Sequence, residues 1–578
     1  MSAEIYRNIP DSVGMNVFSA DPAMADLLRI YLPSDILPTV LREADRMGHL
    51  VGGWLEELAL VADKNPPVLH IRARNGAPVE RIEKHPAYEA LEDVAFGEFG
   101  LAAMSHRPGV FGLDTKLPPL VKYALVYLFV QAEFGLCCPL SMTDSLTRTL
   151  VKFGSQDLID RYFDQLTSQD MDELFQGAMF MTEQIAGSDV GAIDTIARQE
   201  NGEWKLYGDK WFCSNPDAAL AMVLARPEGG EGGTRGLTLF LLPRILPDGR
   251  KNDYRILRLK DKMGTRSMAS GEIALEGATA YIVGDPGRGF KHMTDMINNS
   301  RLANGVRSAG LMRRAVNEAV FIATNRTAFG KRLIDLPLMR RQLSKMLLTA
   351  EQGRSMVFHT ARVLDAADRG TENMAKVLRI MTPLVKFRTC RDARKVTGDG
   401  MEVRGGCGYI EEWSDARVLR DAHLGSIWEG TSNIVALDVA RAVRREDALT
   451  ALESYLTGLN EETQSILGPQ PAITDAFKRS ADLLHAVAHD PAREIETRQA
   501  ASAVYNATSS VVMAWESARQ SEMTNERSTD RLTLAHGVLR HKLSSRDPLD
   551  TVQGAADDEL ISLVYTTLGD AEIAEAAE

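Results

Sequence analysis

Cysteine is scarce in this 578-residue chain: Cys137, Cys138, Cys213, Cys390 and Cys407 are the only five, scattered and without CxxC spacing. That argues against a disulfide framework or a thiolate zinc site and leaves the small buried hydrophobe as the expected role of each. Long uncharged apolar runs are missing as well. No window approaches the roughly 18 residues that a membrane span needs, and even YALVYLFVQAEFGLCCPLSM is interrupted by a carboxylate and a turn. The opening MSAEIYRNIPDSVGMNVFSADPAM has no basic stretch followed by an apolar one, so a secretory signal is not expected and the cytoplasm is the expected compartment. Basic residues are outnumbered, 66 Lys and Arg against 79 Asp and Glu, a net charge of −13 that argues against a chain devoted to nucleic acid. There is no GxGxxG between a strand and a helix, no GxxxxGK[ST] and no repeat of fixed period. His485 and His489 in HAVAH have the i, i+4 spacing of a metal pair, but the glutamate of HExxH and a third ligand are absent, so no metal site is expected.

What is present is a folded composition, 44% hydrophobic and 25% charged. The length suggests three to five units at roughly 150 residues each. Residues 1–64 read as an N-terminal arm and first helices. Residues 65–174 read as a helical N-terminal domain, from apolar residues at i, i+3, i+4 spacing in HPAYEALEDVAFGEFGLAAM and PPLVKYALVYLFVQAEFGL. Between 175 and 289 the pattern changes to short β-rich runs, EWKLYGDKWFCSN, AALAMVLARP, GLTLFLLPR and GEIALEGATAYIVG, separated by turn clusters. This is a central antiparallel β-domain. Long helical periodicity returns over 290–445, as a four-helix-bundle domain, and continues over 446–578 as an additional helical extension. From Thr450 onward that extension holds 21 acidic and 10 basic residues.

Two stretches carry chemistry. MTEQIAGSDVGAIDT, Met181 to Thr195, enters the β-domain with Thr182, Gly187, Ser188 and backbone amides able to approach a planar or anionic ligand; an ordinary polar turn is the competing reading. SIWEGTSNIVALDVAR, Ser426 to Arg441, sets Glu429 before a turn that leads into a helix. Glu429 is either a helix-entry acid favoured by the macrodipole or the base of a reaction.

MTEQIAGSDVG, GDKWFCSN, NRTAFGKRL and GGCGYIEEWSDARVLRDAHLGSIWEGTSN, in this order across helix, sheet and helix, resemble the acyl-CoA dehydrogenase flavoprotein family over about residues 85–445. NPPVLHIRARNGAPVERIEKHPAY, FLLPRILPDGRKNDYRILRLKDKMGTRSMAS and GSIWEG look like its AidB, or alkylation-response, subgroup. The resemblance implies an α+β, acyl-CoA dehydrogenase-like fold: a helical N-terminal domain, the central antiparallel β-domain, the helical bundle and an extra helical C-terminal domain. It implies FAD as cofactor. The flavin-binding stretch maps onto Met179, Met181, Thr182, Gly187 and Ser188, and the strand flanking the ring onto Phe212, Cys213 and Ser214. Arg326 and Phe329 match residues that reach the FAD of a neighbouring subunit, which implies a homotetramer. Trp428, Gly430, Thr431 and Asn433 match flavin contacts of the second turn, Glu429 the α-proton base, and Arg301 a residue on the substrate side. Glu402 stands where the family often has Gln, Asp335-Leu336-Pro337 where it often has a His-Gln pair, and Asn298 where some dehydrogenases have Asp.

Two activities follow from the resemblance. One is FAD-dependent desaturation of an acyl-CoA substrate, with an electron-transfer flavoprotein as acceptor. The other is an AidB-like flavoprotein that binds duplex DNA and protects it from alkylation with weak dehydrogenase activity. DNA binding needs a basic surface, and the acid surplus of the extension opposes it, although RDARKVTGDGMEVR and VARAVRRED are basic.

Overall fold

The computed structural model describes residues 9–545, 547, 549 and 555–568; the first eight residues of the expected N-terminal arm and the last ten of the extension lie outside them. The chain divides into two compact units, one made of Leu55–Pro118 and Glu133–Ala303, the other of Met1–Trp54, Pro119–Ala132 and Asn304–Glu578.

The first unit begins its sheet structure where only helix was expected. Strands β1 (Val68–Arg72) and β2 (Pro78–Glu83) form an antiparallel hairpin with Leu69 opposite Ile82 and His70 opposite Arg81. Its turn contains Asn75-Gly76, with Gly76 at a φ of +87° that a side chain would strain. After the helices Pro86–Glu92, Cys137–Phe153 and Gln156–Leu166 come β3 (Gly177–Phe180), β4 (Ile196–Glu200), β5 (Glu203–Ser214), β6 (Leu220–Pro227), β7 (Thr238–Pro243), β8 (Tyr254–Leu259) and β9 (Ser270–Ile282).

The pairings β6–β4–β5–β9–β7–β6 run in a ring, with β3 added to β6 and β8 to β9. One edge of β6 is shared, Leu220 to Val223 with β3 and Arg226–Pro227 with β4, and both of these pairings are parallel. The sheet is therefore mixed rather than purely antiparallel. A parallel pair needs a crossover, and β4 and β5 are the crossover that returns the chain from β3 to β6. Phe180, Leu206, Val223, Phe240, Leu242 and Ile273 fill the interior without any solvent exposure.

In the second unit, helices Pro22–Tyr31, Leu37–Gly52, Pro119–Phe129, Pro337–Asp368, Met374–Arg404 and Ser432–Glu446 precede the extension, which is Ala448–Leu467, Pro471–His489, Thr497–Thr524, Asp530–Val538 and Ala555–Thr566. The 37-residue helix Gly289–Asn325 contributes its part from Asn304 onward. The extension is not appended to this unit; it shares its core. Helix Thr497–Thr524 is buried from Val504 to Ala518.

A buried ionic network binds three remote segments. Asp21 of the N-terminal arm pairs with Arg354 and, at 3.1 Å, with Arg313. Glu351 takes Arg313 at 3.1 Å, Arg354 at 2.5 Å and Arg531 of the extension. Arg531 also meets Glu516 at 2.6 Å, and Tyr31 donates to Glu516 at 2.7 Å. Removing one partner from such a buried set costs about 3–5 kcal/mol, because it strands a desolvated charge.

No helix among the described residues is long and apolar enough to cross a membrane, and no group of three His, Cys, Asp or Glu among them is placed to hold a metal ion. The His485 and His489 rings lie 4.3 Å apart, tilted by 35°, and the His489 Nδ1 contact at 2.9 Å is to the His485 carbonyl. Four cysteines are buried as expected, but Cys407 is partly exposed; all five are free thiols.

Candidate functional site

The residues picked out by sequence fall into two groups, one in each unit. In the helical unit Glu429 lies outside the helix it precedes. The helix Ser432–Glu446 starts at an N-cap Thr431 whose side chain makes no capping bond. Glu429 itself has a φ of +53°, and Gly430 follows at +104°. A left-handed glutamate costs about 1–2 kcal/mol relative to ordinary backbone, and helix entry does not require it. The turn is held from both sides. Lys386, buried on helix Met374–Arg404, donates to the Gly430 carbonyl at 2.5 Å. Asn304, wholly buried on helix Gly289–Asn325, donates from Nδ2 to Glu429 Oε2 at 2.6 Å. The Arg307 guanidinium, one turn further along, lies 4.9 Å from the Trp428 ring centroid. Asn304, Arg307 and Lys386 were not singled out from sequence. Asn304 stands three residues after Arg301, but only the folded helix shows that it reaches Glu429.

Arginines crowd the same turn. Arg394 donates to Ser426 Oγ, Arg391 to Ser432 Oγ and Arg498 to Asn433 Oδ1, each at 3.3 Å. Burial first, then the charges of Arg498, Arg388 and Arg394, holds Arg391 below its ordinary pKa. Asp392 gives partial compensation, paired at 2.5 Å with Arg388. Asn433 is thus exposed, beside a concentration of positive charge that an anionic ligand would relieve.

Arg326 and Phe329 lie at a two-residue hairpin, with Thr327 opposite Arg332 and Ala328 opposite Lys331. Arg326 donates to the Arg404 carbonyl at 3.1 Å. Phe329 sits at the tip, 93% exposed and at a φ of +53°. Glu402 is exposed and accepts from Gln342 at 3.4 Å.

In the other unit the period of two along a strand decides which residues face outward. Ala178 and Phe180 are buried while Met179 and Met181 are half-buried. On β5, Phe212 is 58% exposed and Ser214 half-buried, whereas Cys213 is in the barrel core with no exposure. The expectation for Cys213 is corrected accordingly: its thiol, which burial pushes up in pKa, faces the core, and only its backbone remains for a ligand. The amide of Trp211 donates to the Thr182 carbonyl at 2.8 Å, tying the loop after β3 to β5. Gly187 and Ser188 are exposed, and a Cβ on Gly187 would meet nothing within 4 Å.

Glu183, next to Thr182, explains the fixed path of this loop and was not anticipated. Its carboxylate meets Lys210 Nζ at 2.6 Å, Thr195 Oγ1 at 2.5 Å and the Asp194 amide at 2.6 Å. Burial alone would raise its pKa; the Lys210 charge and these hydrogen bonds outweigh burial and hold it low. Arg301, half-buried, donates to Asn298 Oδ1 at 3.3 Å.

Each unit, taken by itself, carries features that suit part of FAD. An exposed phenyl ring beside open backbone accepts a planar ring system. An uncapped helix N-terminus, a spare Thr431 hydroxyl and clustered guanidiniums accept a pyrophosphate.

Comparison with known proteins agrees. Residues 8–173 match the model of the adaptive response protein AidB N-terminal domain, 178–278 the acyl-CoA dehydrogenase middle domain, and 287–444 the acyl-CoA dehydrogenase C-terminal domain. The chain is 32% identical over 499 residues to acyl-CoA dehydrogenase family member 11 of Caenorhabditis elegans, covering 84% of this chain and 80% of that protein. It is 34% identical over 457 residues to the putative acyl-CoA dehydrogenase AidB of Escherichia coli K12, covering 76% and 79%. The crystal structure of Caenorhabditis elegans ACDH-11 in complex with C11-CoA superimposes with a TM-score of 0.84 at 27% identity, covering 94% of this chain and 95% of that one. The chain therefore belongs to the acyl-CoA dehydrogenase family, with an AidB-type N-terminal domain, and is an FAD-dependent oxidoreductase acting on CH–CH bonds.

Proposed function

We propose that this protein desaturates an acyl-CoA thioester between Cα and Cβ, with Glu429 as the base. The observation that carries this reading is the strained, left-handed Glu429, its carboxylate gripped by the neutral amide of Asn304 rather than turned to cap the helix. Bound FAD supplies the acceptor for the hydride that leaves Cβ. Glu429 takes the α-proton, and the two departures leave an enoyl thioester. Asn304 fixes the direction of the carboxylate, and Lys386, through the Gly430 carbonyl, keeps the turn from relaxing. Within the β-domain Thr182, Ser188, Phe212 and Ser214 are the flavin contacts that the family resemblance implies; within the helical unit, taken by itself, Trp428, Gly430, Thr431 and Asn433 are. Met179, Met181, Gly187 and the Cys213 backbone complete the first set, and Arg301 orients the thioester end of the substrate. Arg326 and Phe329 reach the cofactor of a neighbouring copy in a homotetramer, which would cover the exposed ring at the hairpin tip. An electron-transfer flavoprotein takes the electrons onward, in the cytoplasm. That the worm relative was solved with C11-CoA supports an acyl-CoA as substrate.

The crowded arginines favour a second reading, duplex DNA bound by the face around Arg391, Arg394 and Arg498, as the AidB resemblance implies. The acid surplus of the extension places it behind desaturation.

Anaerobic mixing of the flavin-loaded protein with acyl-CoAs of graded length tests the first reading. One thioester is expected to bleach the flavin band at about 450 nm, and Glu429→Gln is expected to abolish the bleaching while retaining flavin. Absence of bleaching with every thioester, together with steeply salt-dependent duplex binding, would put the second reading first.

A further inference from the structure

The unit that contains the barrel also holds a cavity of about 660 Å³ that desaturation does not use. This is within the roughly 300–1,000 Å³ of small-molecule sites. Its walls come from the residues leading into β3, those leading into β6 and those leaving β7, with Lys84, Arg161, Tyr162 and Gln165 completing them. The loop Met181 to Ser188 leaves β3 at its other end, so the flavin-binding stretch and this cavity are at opposite ends of one strand.

The polar groups of the wall are of two kinds. One set is already satisfied: Asn215 donates to Gln176 at 3.0 Å, and Gln176 and Lys84 both donate to Glu92 at 2.8 Å. The other set is not. Arg244 is 91% buried, lies 4.7 Å from the Tyr254 ring centroid and donates from one terminal nitrogen to Glu80 at 3.0 Å; its other terminal nitrogen is buried with no partner. Asp217 Oδ1 and Gln165 Oε1 are likewise buried without a donor. Buried polar atoms of this kind are rare in folded proteins and call for an explanation. A cationic donor and two acceptors, one of them anionic, thus lack partners on residues that wall one space. Lys84 and Arg161 add positive charge to the wall, which favours an anionic group, while Asp217, whose charge Lys84 also feels, accepts from a cationic one. Leu174, Phe175, Ile245 and Leu246 give the remaining wall an apolar character.

We propose that this cavity binds a small zwitterion with an apolar body, of the α-amino acid or dipeptide class, its carboxylate at Arg244 and its ammonium at Asp217 and Gln165. Such a ligand satisfies the cationic donor and the anionic acceptor together.

Thermal melting and calorimetric titration of the flavin-loaded full chain test this with L-leucine, L-phenylalanine and leucyl-leucine as probes, each beside its N-acetyl and its amide derivative. At least one zwitterion is expected to raise the melting temperature saturably and to bind at least tenfold more tightly than both blocked forms. Arg244→Gln and Asp217→Asn are expected to remove that rise while the flavin spectrum and turnover stay unchanged. Because Arg244 also anchors Glu80, Gln165→Leu serves as a milder variant should Arg244→Gln fail to fold. The proposal is overturned if no zwitterion shifts the melt at millimolar concentration, if an N-acetyl or amide form binds as tightly as its parent, or if the variants leave the shift intact.

Discussion

Glu351 and Glu429 are both glutamates of the helical unit near guanidinium groups, yet they have opposite surroundings. Glu351 is buried on a regular helix and faces Arg313, Arg354 and Arg531, so that every direction of its carboxylate is met by positive charge. Glu429 stands on a strained turn, half-buried, and takes a hydrogen bond from a neutral amide. Saturation with fixed cations makes an acid a rivet, since its proton affinity is spent on the fold. An acid on a strained, half-buried turn has its direction fixed by the amide, which is what a positioned base needs.

Exchanging each acid for its amide should separate the two roles. Glu429→Gln should lower turnover by about 10²–10⁴-fold and leave the melting curve in place. Glu351→Gln should lower stability by about 3–5 kcal/mol in denaturant titrations, with turnover of the folded fraction retained. A next smaller effect is the response to acid. The surrounding guanidiniums outweigh burial and hold Glu351 down at about 2. Its contribution is therefore complete above the unfolded carboxylate value of about 4.3 and is lost as pH falls toward 2. Stability measured between pH 6 and 3 should drop more steeply in the native chain than in Glu351→Gln. Asn304→Ala should lower turnover roughly tenfold, as the loss of about 1–3 kcal/mol from one buried hydrogen bond implies, with little change in substrate affinity. Smallest is Phe329→Gly, which relieves about 1 kcal/mol of left-handed strain; it should raise the unfolding midpoint slightly while shifting sedimentation toward smaller species.

Much of this architecture was legible in the residues, and the rest was hidden for identifiable reasons. Periodicity located the long helices, and short β-rich runs between turn clusters located β5, β6, β7 and β9. Strands β3, β4 and β8 escaped notice because they are short and, in IARQE and YRILRL, broken by charged residues, so that no apolar run stands out as it does in TLFLLP. The hairpin β1–β2 did carry a signal, Asn75-Gly76 between two extended runs, masked by the helical sequence around it. The motif residues from Met181 to Ser188 and at the Glu429 turn could be picked out because their order along the chain is distinctive. Their supports could not. Nothing in a string of letters separates the buried Arg354 from the exposed Arg369, or shows that Asn304 and Lys386 converge on one turn. Such pairings are made by tertiary packing between segments far apart in the chain.

Asp21 lies 333 residues before Arg354, its closest partner. At roughly 5–20 residues per second, a ribosome would need about 15–65 s to deliver that partner. Through this interval the emerging chain would carry an unpaired carboxylate, and the apolar face of Met24, Leu27 and Leu28 would lack the partner helix Thr497–Thr524. The barrel unit, by contrast, has its whole sequence by residue 303. Its loop from Met181 to Ser188 can thus be in place before Glu429 has been synthesised, whereas the first helices of the chain wait for partners made hundreds of residues later.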